Sequence, residues 1–252
     1  MWILLFPIIA GKAAAALVFS EAPATAFLLW FGPDALLAYH LFAARAQGIV
    51  RLHRKFTTTQ REVWLTIDDG PDPEDTPRIL DLLAAHDARA TFFVIGESAA
   101  RHPELVRAIA AAGHEVAHHT HTHPLAWFWC SPPSRVHREL DLATATLRAC
   151  GAEPVRFRPP AGIRNPWLGS AMRERGLTGI GWTASGLERR RGDAEAVSER
   201  LMKRLTPGAI LLVHEGPRIP QAIRVHGVRR VLERLREHGY RCVVPEPGQL
   251  AG

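Results

Sequence analysis

From Glu62 onward the chain alternates short apolar runs with amphipathic stretches, and no other feature restricts its fold as strongly. Runs of this length, rich in β-branched and aromatic residues, suit strands buried on both faces, and a helix between successive strands is what a parallel crossover needs. Seven strands are expected, at Glu62–Ile67, Ala90–Ile95, Glu115–Ala117, Val155–Phe157, Thr178–Trp182, Ala209–Val213 and Arg241–Val244. Between them, Thr76–His86 places Ile79, Leu82 and Leu83 on one helical face. Pro103–Ala112 opens with a proline at a tolerated first helical position, and Val225–His238 carries Val228, Val231, Leu232 and Leu235. Gly113 and Gly239 stand where helices should stop. The expected fold is α/β, a distorted barrel of about seven strands over residues 62–252, with its chemistry at the C-terminal ends of the strands.

The first fifty residues are different material. Of 31 basic and 25 acidic residues in the chain, only Lys12, Glu21, Asp34 and Arg45 lie there. The stretches from Met1 to Ser20 and from Pro23 to Ala44 each approach the length that crosses a bilayer. Pro7 and Lys12 interrupt the first, and Gly32-Pro33-Asp34 the second, so a re-entrant or interfacial placement fits equally. A cleaved signal peptide would begin with a basic segment, whereas Trp2-Ile3-Leu4-Leu5-Phe6 follows the initiator directly. Arg45, Arg51, Arg54, Lys55 and Arg61 follow, a run that the positive-inside tendency holds in the cytoplasm, although five charges also suit a solvated linker. The expected organisation is a hydrophobic, membrane-associated segment of one or two helices over residues 1–50, a basic linker over 51–61, and a catalytic domain on the cytoplasmic face of the membrane.

Composition excludes some classes of function. The net charge of +6 comes from arginines dispersed among helices with no nucleic-acid motif beside them, so nucleic acid is not an expected partner. Cys130, Cys150 and Cys242 are odd in number and far apart, which argues against a disulfide framework or a thiolate metal site. The histidines are more telling, because they cluster between His114 and His123.

Four strand ends carry groups that could do chemistry. The first ends in Thr66-Ile67-Asp68-Asp69-Gly70-Pro71; two adjacent carboxylates closing an apolar strand are costly to bury without a cation or donors to receive them, though Gly-Pro also invites a simple capped turn. After the third strand comes His118-His119-Thr120-His121-Thr122-His123-Pro124, where an H-x-x-x-H pair can give two nitrogens to a zinc-like ion with a carboxylate as third ligand. That spacing alone is weak in a histidine-rich chain, and it gains force from lying one strand end away from Asp68-Asp69. The fourth strand gives Phe157-Arg158-Pro159-Pro160-Ala161-Gly162 and the sixth Ile210-Leu211-Leu212-Val213-His214-Glu215.

Taken in order from Thr66 to His214, these motifs resemble those of the NodB-type polysaccharide deacetylases, and the resemblance extends over roughly Glu62 to Val244. It implies Asp68 as catalytic base, Asp69, His119 and His123 as ligands of a divalent metal, Arg158 as the partner that orients the base, and His214 as general acid. The metal implied is zinc, with cobalt, nickel or manganese as alternatives. His118 and His121 match no ligand position. The sequence departs from the family's pattern at Ala161, where an aromatic residue is common, so any oxyanion contact there would come from a backbone N–H. It departs again after Trp182, where an aspartate-tryptophan pair is usual and Glu188 is the candidate carboxylate, set beside Arg158 or His214.

The implied reaction removes N-linked, or O-linked, acetyl groups from an amino sugar of a cell-envelope polysaccharide or a lipid-linked glycan. Pro159, Ala161 and Trp182 are expected on the substrate side, and Arg164 with Arg189, Arg190 and Arg191 could meet a carrier phosphate, although a solvated charge run is the commoner explanation of such a cluster. Leu125-Ala126-Trp127-Phe128-Trp129, beside the histidines, needs either burial or a lipid. Deformylation or hydrolysis of another small acyl amide uses the same constellation, and a non-catalytic, membrane-anchored glycan-binding scaffold is the alternative from another class.

Overall fold

The computed structural model describes residues 2–188 and 193–250. Two N-terminal helices, α1 (Trp2–Val18) and α2 (Pro23–Phe42), precede β1 (Glu62–Asp68), α3 (Asp75–Ala85), β2 (Ala90–Val94), α4 (Gly96–Arg101), α5 (Pro103–Ala111) and β3 (Glu115–His118). There follow α6 (Pro133–Ala149), β4 (Arg156–Phe157), α7 (Leu168–Arg173), β5 (Thr178–Gly179), β6 (Ala184–Ser185), α8 (Ala194–Met202), β7 (Ala209–His214), α9 (Arg224–Glu237) and β8 (Arg241–Cys242). The strands pair in the order β5-β4-β3-β2-β1-β7-β6, with β8 joining β1, and every strand pairing is parallel. The result is the expected curled α/β barrel, with one more strand than the pattern gave. Ala184–Ser185 is too short to show a period, and it exists because its backbone meets Leu211 and Leu212 of β7.

Strand period explains two of the three buried hydrophobic clusters among the described residues. Val63, Leu65 and Ile67 of β1 face outward and pack with Phe92, Leu211 and Val213 beneath the surrounding helices. The alternate residues point inward, where Trp64, Phe93, Ala117, Ile180 and Ile210 fill the barrel. Because side chains alternate, the inward column of β1 runs Trp64, Thr66, Asp68, and that of β7 runs Ile210, Leu212, His214. Asp68 and His214 are register partners on adjacent strands, so the pairing sets them side by side at the top of the barrel.

The barrel does not close by strands alone. Thr178–Trp182 was expected to be one strand, but only Thr178–Gly179 pairs with β4. Ile180 and Gly181 turn instead toward residues 53–55: His53 bridges Ile180, Lys55 bridges Ala209, and Gly181 N donates to His53 O at 2.7 Å. The basic stretch read as a linker therefore lies against the seam between β5 and β7. Helix α6 was not anticipated, although Val136, Leu140, Ala143 and Leu147 form its buried stripe. Gly113 and Gly239 take positive φ where α5 and α9 stop.

Helices α1 and α2 form a hairpin. Gly11 permits their close approach, since a Cβ there would stand 2.5 Å from Leu29 O. Lys12 and Asp34 pair across the hairpin at 2.7 Å. Among the described residues no helix is long and apolar enough to cross a membrane. Helix α1 ends after 17 residues, and α2 carries Gly32-Pro33-Asp34 in its middle.

Candidate active site

The C-terminal ends of β1, β3, β4 and β7 open into a cavity of about 290 Å³ lined by Asp68, Asp69, His119, His123, His214 and Glu188, with Leu125, Ala161, Trp182, Ser185, Leu187 and Leu212 as its remaining wall. Backbone conformation already marks the place. Six described non-glycine residues have positive φ, and four of them, Asp69, His123, Ala161 and Leu187, line this cavity, while a fifth, Thr120, lies between the two histidines. Such conformations cost on the order of 1–3 kcal/mol each and persist where the surrounding structure fixes them.

Asp69, His119 and His123 are buried, and their ligand atoms lie within 4.8 Å of one another. His123 Nε2 is 3.1 Å and His119 Nε2 3.5 Å from the same oxygen, Asp69 Oδ1. Burial works to raise the Asp69 pKa, but the two imidazoles packed against it outweigh that and hold the carboxyl far below its usual range. One carboxylate oxygen and two imidazole nitrogens form a donor set suited to a zinc-like cation. The outer bonds test that fit. His119 Nδ1 lies 2.8 Å from Arg158 O, and since a carbonyl only accepts, the proton sits on Nδ1 and the Nε2 lone pair faces the cluster. His123 differs: its Nδ1 faces Arg218 Nη1 at 2.5 Å, and a guanidinium only donates. In this arrangement His123 carries its proton on Nε2, toward Asp69, and a metal ligand would need the opposite tautomer with Arg218 withdrawn. The donor set therefore fits a divalent cation, with one side chain to rearrange.

The loop that presents these histidines is organised from α6. Glu139 accepts from the backbone N–H of His121 at 3.0 Å, from that of Thr122 at 2.8 Å, and from Thr122 Oγ1 at 2.6 Å. His118, fully buried, bonds Leu140 O through Nε2 at 3.0 Å and accepts from Thr120 N, and burial pushes its pKa down to about 4. It is a neutral packing group. His121 packs over Gly96 and its nitrogens are outside the cluster.

Arg158 is fully buried and its guanidinium makes four hydrogen bonds. It donates to Asp68 Oδ1 at 2.6 Å, Thr66 Oγ1 at 2.8 Å, Gly181 O at 2.8 Å and Ile180 O at 3.3 Å, and it lies 4.1 Å over the Phe93 ring. Asp68 is thus held by one oxygen, while Oδ2 lies 3.7 Å from His119 Nε2, turned toward the histidine cluster. On the opposite side, Glu188 Oε2 lies 3.0 Å from His214 Nδ1 and Oε1 accepts from His214 N at 3.1 Å. Glu188 therefore stands beside His214, and Arg158 makes its ion pair with Asp68. Burial works to lower the His214 pKa; the bond and charge of Glu188, with the charges of Asp68 and Asp69, overcome it and raise the value. The cavity thus holds a carboxylate paired with Arg158 and, on the neighbouring strand, an imidazole biased toward its protonated form.

The substrate-side expectations divide. Ala161 and Trp182 line the cavity, and Gly162 makes room for the indole, since a Cβ there would lie 2.7 Å from Trp182 Cη2. Pro159 is buried and takes no part in the cavity wall. Arg164 must be corrected: it does not face the cavity or solvent to meet a phosphate. Its guanidinium is enclosed and donates to the carbonyls of Ala43, Ala44, Ala46 and Gly162. Four backbone acceptors in a buried pocket outcompete any outside anion. Arg189, Arg190 and Arg191 lie outside the described residues. The sequence reading missed Glu139, Arg218, Ser185 and Leu187; Glu139 was open to it through the helical stripe of α6, the others only through tertiary structure.

The family model described as "Polysaccharide deacetylase" matches residues 55–180. A chitooligosaccharide deacetylase from Bradyrhizobium sp. (strain ANU 289) is 40% identical over 158 residues, 62% of this chain and 71% of that one. A peptidoglycan-N-acetylglucosamine deacetylase from Bacillus cereus is 31% identical over 188 residues, 73% of this chain and 86% of that one. Among solved structures, the family 4 carbohydrate esterase from Streptomyces lividans, in complex with acetate, superposes with a TM-score of 0.68 at 29% identity, covering 76% of this chain and 96% of that one. A family 4 pseudoenzyme from Bacillus anthracis matches with a TM-score of 0.67 at 25% identity, covering 75% of this chain and 65% of that one.

Proposed function

The chain belongs to the polysaccharide deacetylase family, and from that premise we propose that it hydrolyses the N-acetyl group of an amino sugar in a cell-envelope or lipid-linked glycan, with a divalent cation, zinc first, held by Asp69, His119 and His123. Since the family includes a pseudoenzyme, activity has to rest on this chain's own groups. The observation that carries the reading is the register pairing of Asp68 with His214, which puts a carboxylate and an imidazole side by side at the rim that also holds the Asp69, His119 and His123 cluster.

An amide resists water because water is a weak nucleophile and the tetrahedral oxyanion is poorly stabilised. A cation on the three ligands supplies Lewis acidity, lowering the pKa of water and polarising the acyl carbonyl. Asp68, aimed by Arg158, takes a proton from the attacking water as its oxygen bonds to the acyl carbon. His214, kept protonated by Glu188, gives its proton to the sugar nitrogen as the C–N bond breaks. The products are acetate and a free amine. Base and acid are separate residues, and the contact with Glu188 raises the pKa of the acid, as suits a group that must hold its proton near neutral pH.

The reading is tested by incubating the protein with N-acetylated chitooligosaccharides, peptidoglycan fragments and an acetylated lipid-linked amino sugar. Acetate appearing with an equal amount of free amine supports it. Formate from an N-formyl sugar, without acetate release, assigns the same chemistry to a different acyl group. Neither acid from any substrate returns the chain to the scaffold reading.

A further inference from the structure

We propose that the α1–α2 hairpin seats the protein on an anionic phospholipid surface and that Arg164 fixes the rim of the cavity to that hairpin. The first part stands independently of the deacetylase reading. The consequence for substrate, an amino sugar carried on a lipid, rests on that reading.

The hairpin exposes apolar surface on nearly all sides. On α2, Phe27, Leu28, Trp30, Phe31, Leu36 and Tyr39 are all exposed. At 100° per residue they span an arc of about 240°. The remaining arc, with Ala26, Leu29 and Pro33, is taken by α1. Helix α1 adds exposed Phe6, Ile9 and Leu17. A second copy or a protein partner covers one side of such a hairpin and leaves the rest in water, whereas a lipid phase surrounds it. The polar groups fit this reading. Lys12 and Asp34 neutralise each other and Lys12 lies 5.1 Å over the Trp30 ring, so the centre of the hairpin presents no unpaired charge.

Charge picks the lipid. Where the chain leaves α2, Arg45, Arg51, Arg54 and Lys55 line a groove that contains no acidic residue. Basic side chains at the edge of an apolar insert are drawn to anionic headgroups, and that attraction weakens with salt.

The joint to the active site is made by hydrogen bonds. Arg164 N donates to Leu41 O at 2.9 Å, and its guanidinium donates to Ala43 O at 2.8 Å and Ala46 O at 2.7 Å on one side and to Gly162 O at 3.0 Å on the other. Gly162 adjoins Ala161 of the cavity wall. A second link is aromatic, Phe42 of α2 against Trp129 at 5.7 Å, four residues beyond cavity-lining Leu125. The end of the hairpin is thus bolted to the loops after β3 and β4 that form the rim, and Trp127, 65% exposed on the same loop, is an aromatic group of the kind that settles at a headgroup boundary.

The test uses the full chain. Cys130 is exposed on the rim loop while Cys150 and Cys242 are buried, so an environment-sensitive fluorophore can be placed on Cys130 alone. Labelled protein is sedimented with vesicles of phosphatidylcholine, with and without phosphatidylglycerol. The proposal expects co-sedimentation that is stronger with phosphatidylglycerol and falls with salt, together with a blue shift of the label. The combined variant Phe27→Glu, Leu28→Glu, Phe31→Glu should stay in the supernatant yet hydrolyse soluble chitooligosaccharides at the wild-type rate. Protein that remains in the supernatant overturns the proposal, as does a defined dimer dispersed by the triple variant without vesicle binding. Vesicle binding with no change in the label overturns the placement of the rim. Vesicle binding does not require turnover, so failure of the deacetylase reading registers separately, as absent hydrolysis of the soluble substrate.

Discussion

Glu188 grips His214 at two points, one carboxylate oxygen on the backbone N–H and the other 3.0 Å from Nδ1, across 26 residues of chain. The double contact fixes the imidazole's position and leaves Nε2 as the nitrogen available to the cavity.

That contact sets the alkaline limit of activity. A raised His214 pKa keeps the acid protonated to higher pH, and activity is lost as pH rises through it. Glu188→Gln keeps the shape and removes the charge, so the alkaline limb of the kcat/KM profile should move to lower pH while the acid limb stays. An alkaline limb that does not move would show that His214 is not the titrating acid.

Asp68→Asn should reduce kcat by about 10²–10⁴-fold, the usual contribution of a general base, with bound metal unchanged. It should also lower stability, because Arg158 is left buried beside a neutral group, and breaking a buried pair costs about 3–5 kcal/mol. Loss of metal in this variant would make Asp68 a ligand instead.

Arg218 presents donors to His123 Nδ1, where a metal-bound imidazole would itself carry a proton. Arg218→Gln offers a carbonyl oxygen to accept that proton, and should tighten zinc binding measured by calorimetry on metal-free protein. Weaker binding would mean that the guanidinium supports the ligand set.

Glu215 is fully buried against Gly70, where a Cβ would run into Oε1, and its other oxygen accepts from Thr76 Oγ1 at 2.6 Å. Burial, reinforced by the charges of Asp75, Asp72 and Asp69, pushes its pKa up from 4.5 to about 8 despite the Thr76 bond. Between those two values the folded protein holds a proton that the unfolded chain has released, so this residue makes stability fall as pH rises through that window. Glu215→Gln should gain stability over the parent from pH 5 to pH 8 in urea unfolding. An equal difference at both pH values would contradict this.

What the sequence made legible follows from how locally each feature is determined. Asp68-Asp69 and the His119–His123 spacing stand at strand ends, and strand alternation carries Asp68 and His214 inward without help from distant residues. Arg164 is the opposite case: an arginine two residues past a cavity loop reads as an anion contact, and only the path of residues 41–46 reveals three carbonyls waiting for its guanidinium. Arg218 reaches His123 across 95 residues, and Trp182 was placed in a strand because nothing local discloses that residues 53–55 occupy the seam. Glu188 was named through the family pattern, while its choice of His214 over Arg158 appears only in the fold, where both its carboxylate oxygens meet His214.

The central claim is metal-dependent hydrolysis at Asp69, His119 and His123. The most direct measurement is metal content of the purified protein together with acetate release from N-acetylated chitooligosaccharides before chelation, after it, and after zinc is returned. The account predicts one equivalent of metal, release abolished by the chelator and restored by zinc, and both lost in His119→Ala. Acetate release that persists in protein shown to hold no metal would contradict it.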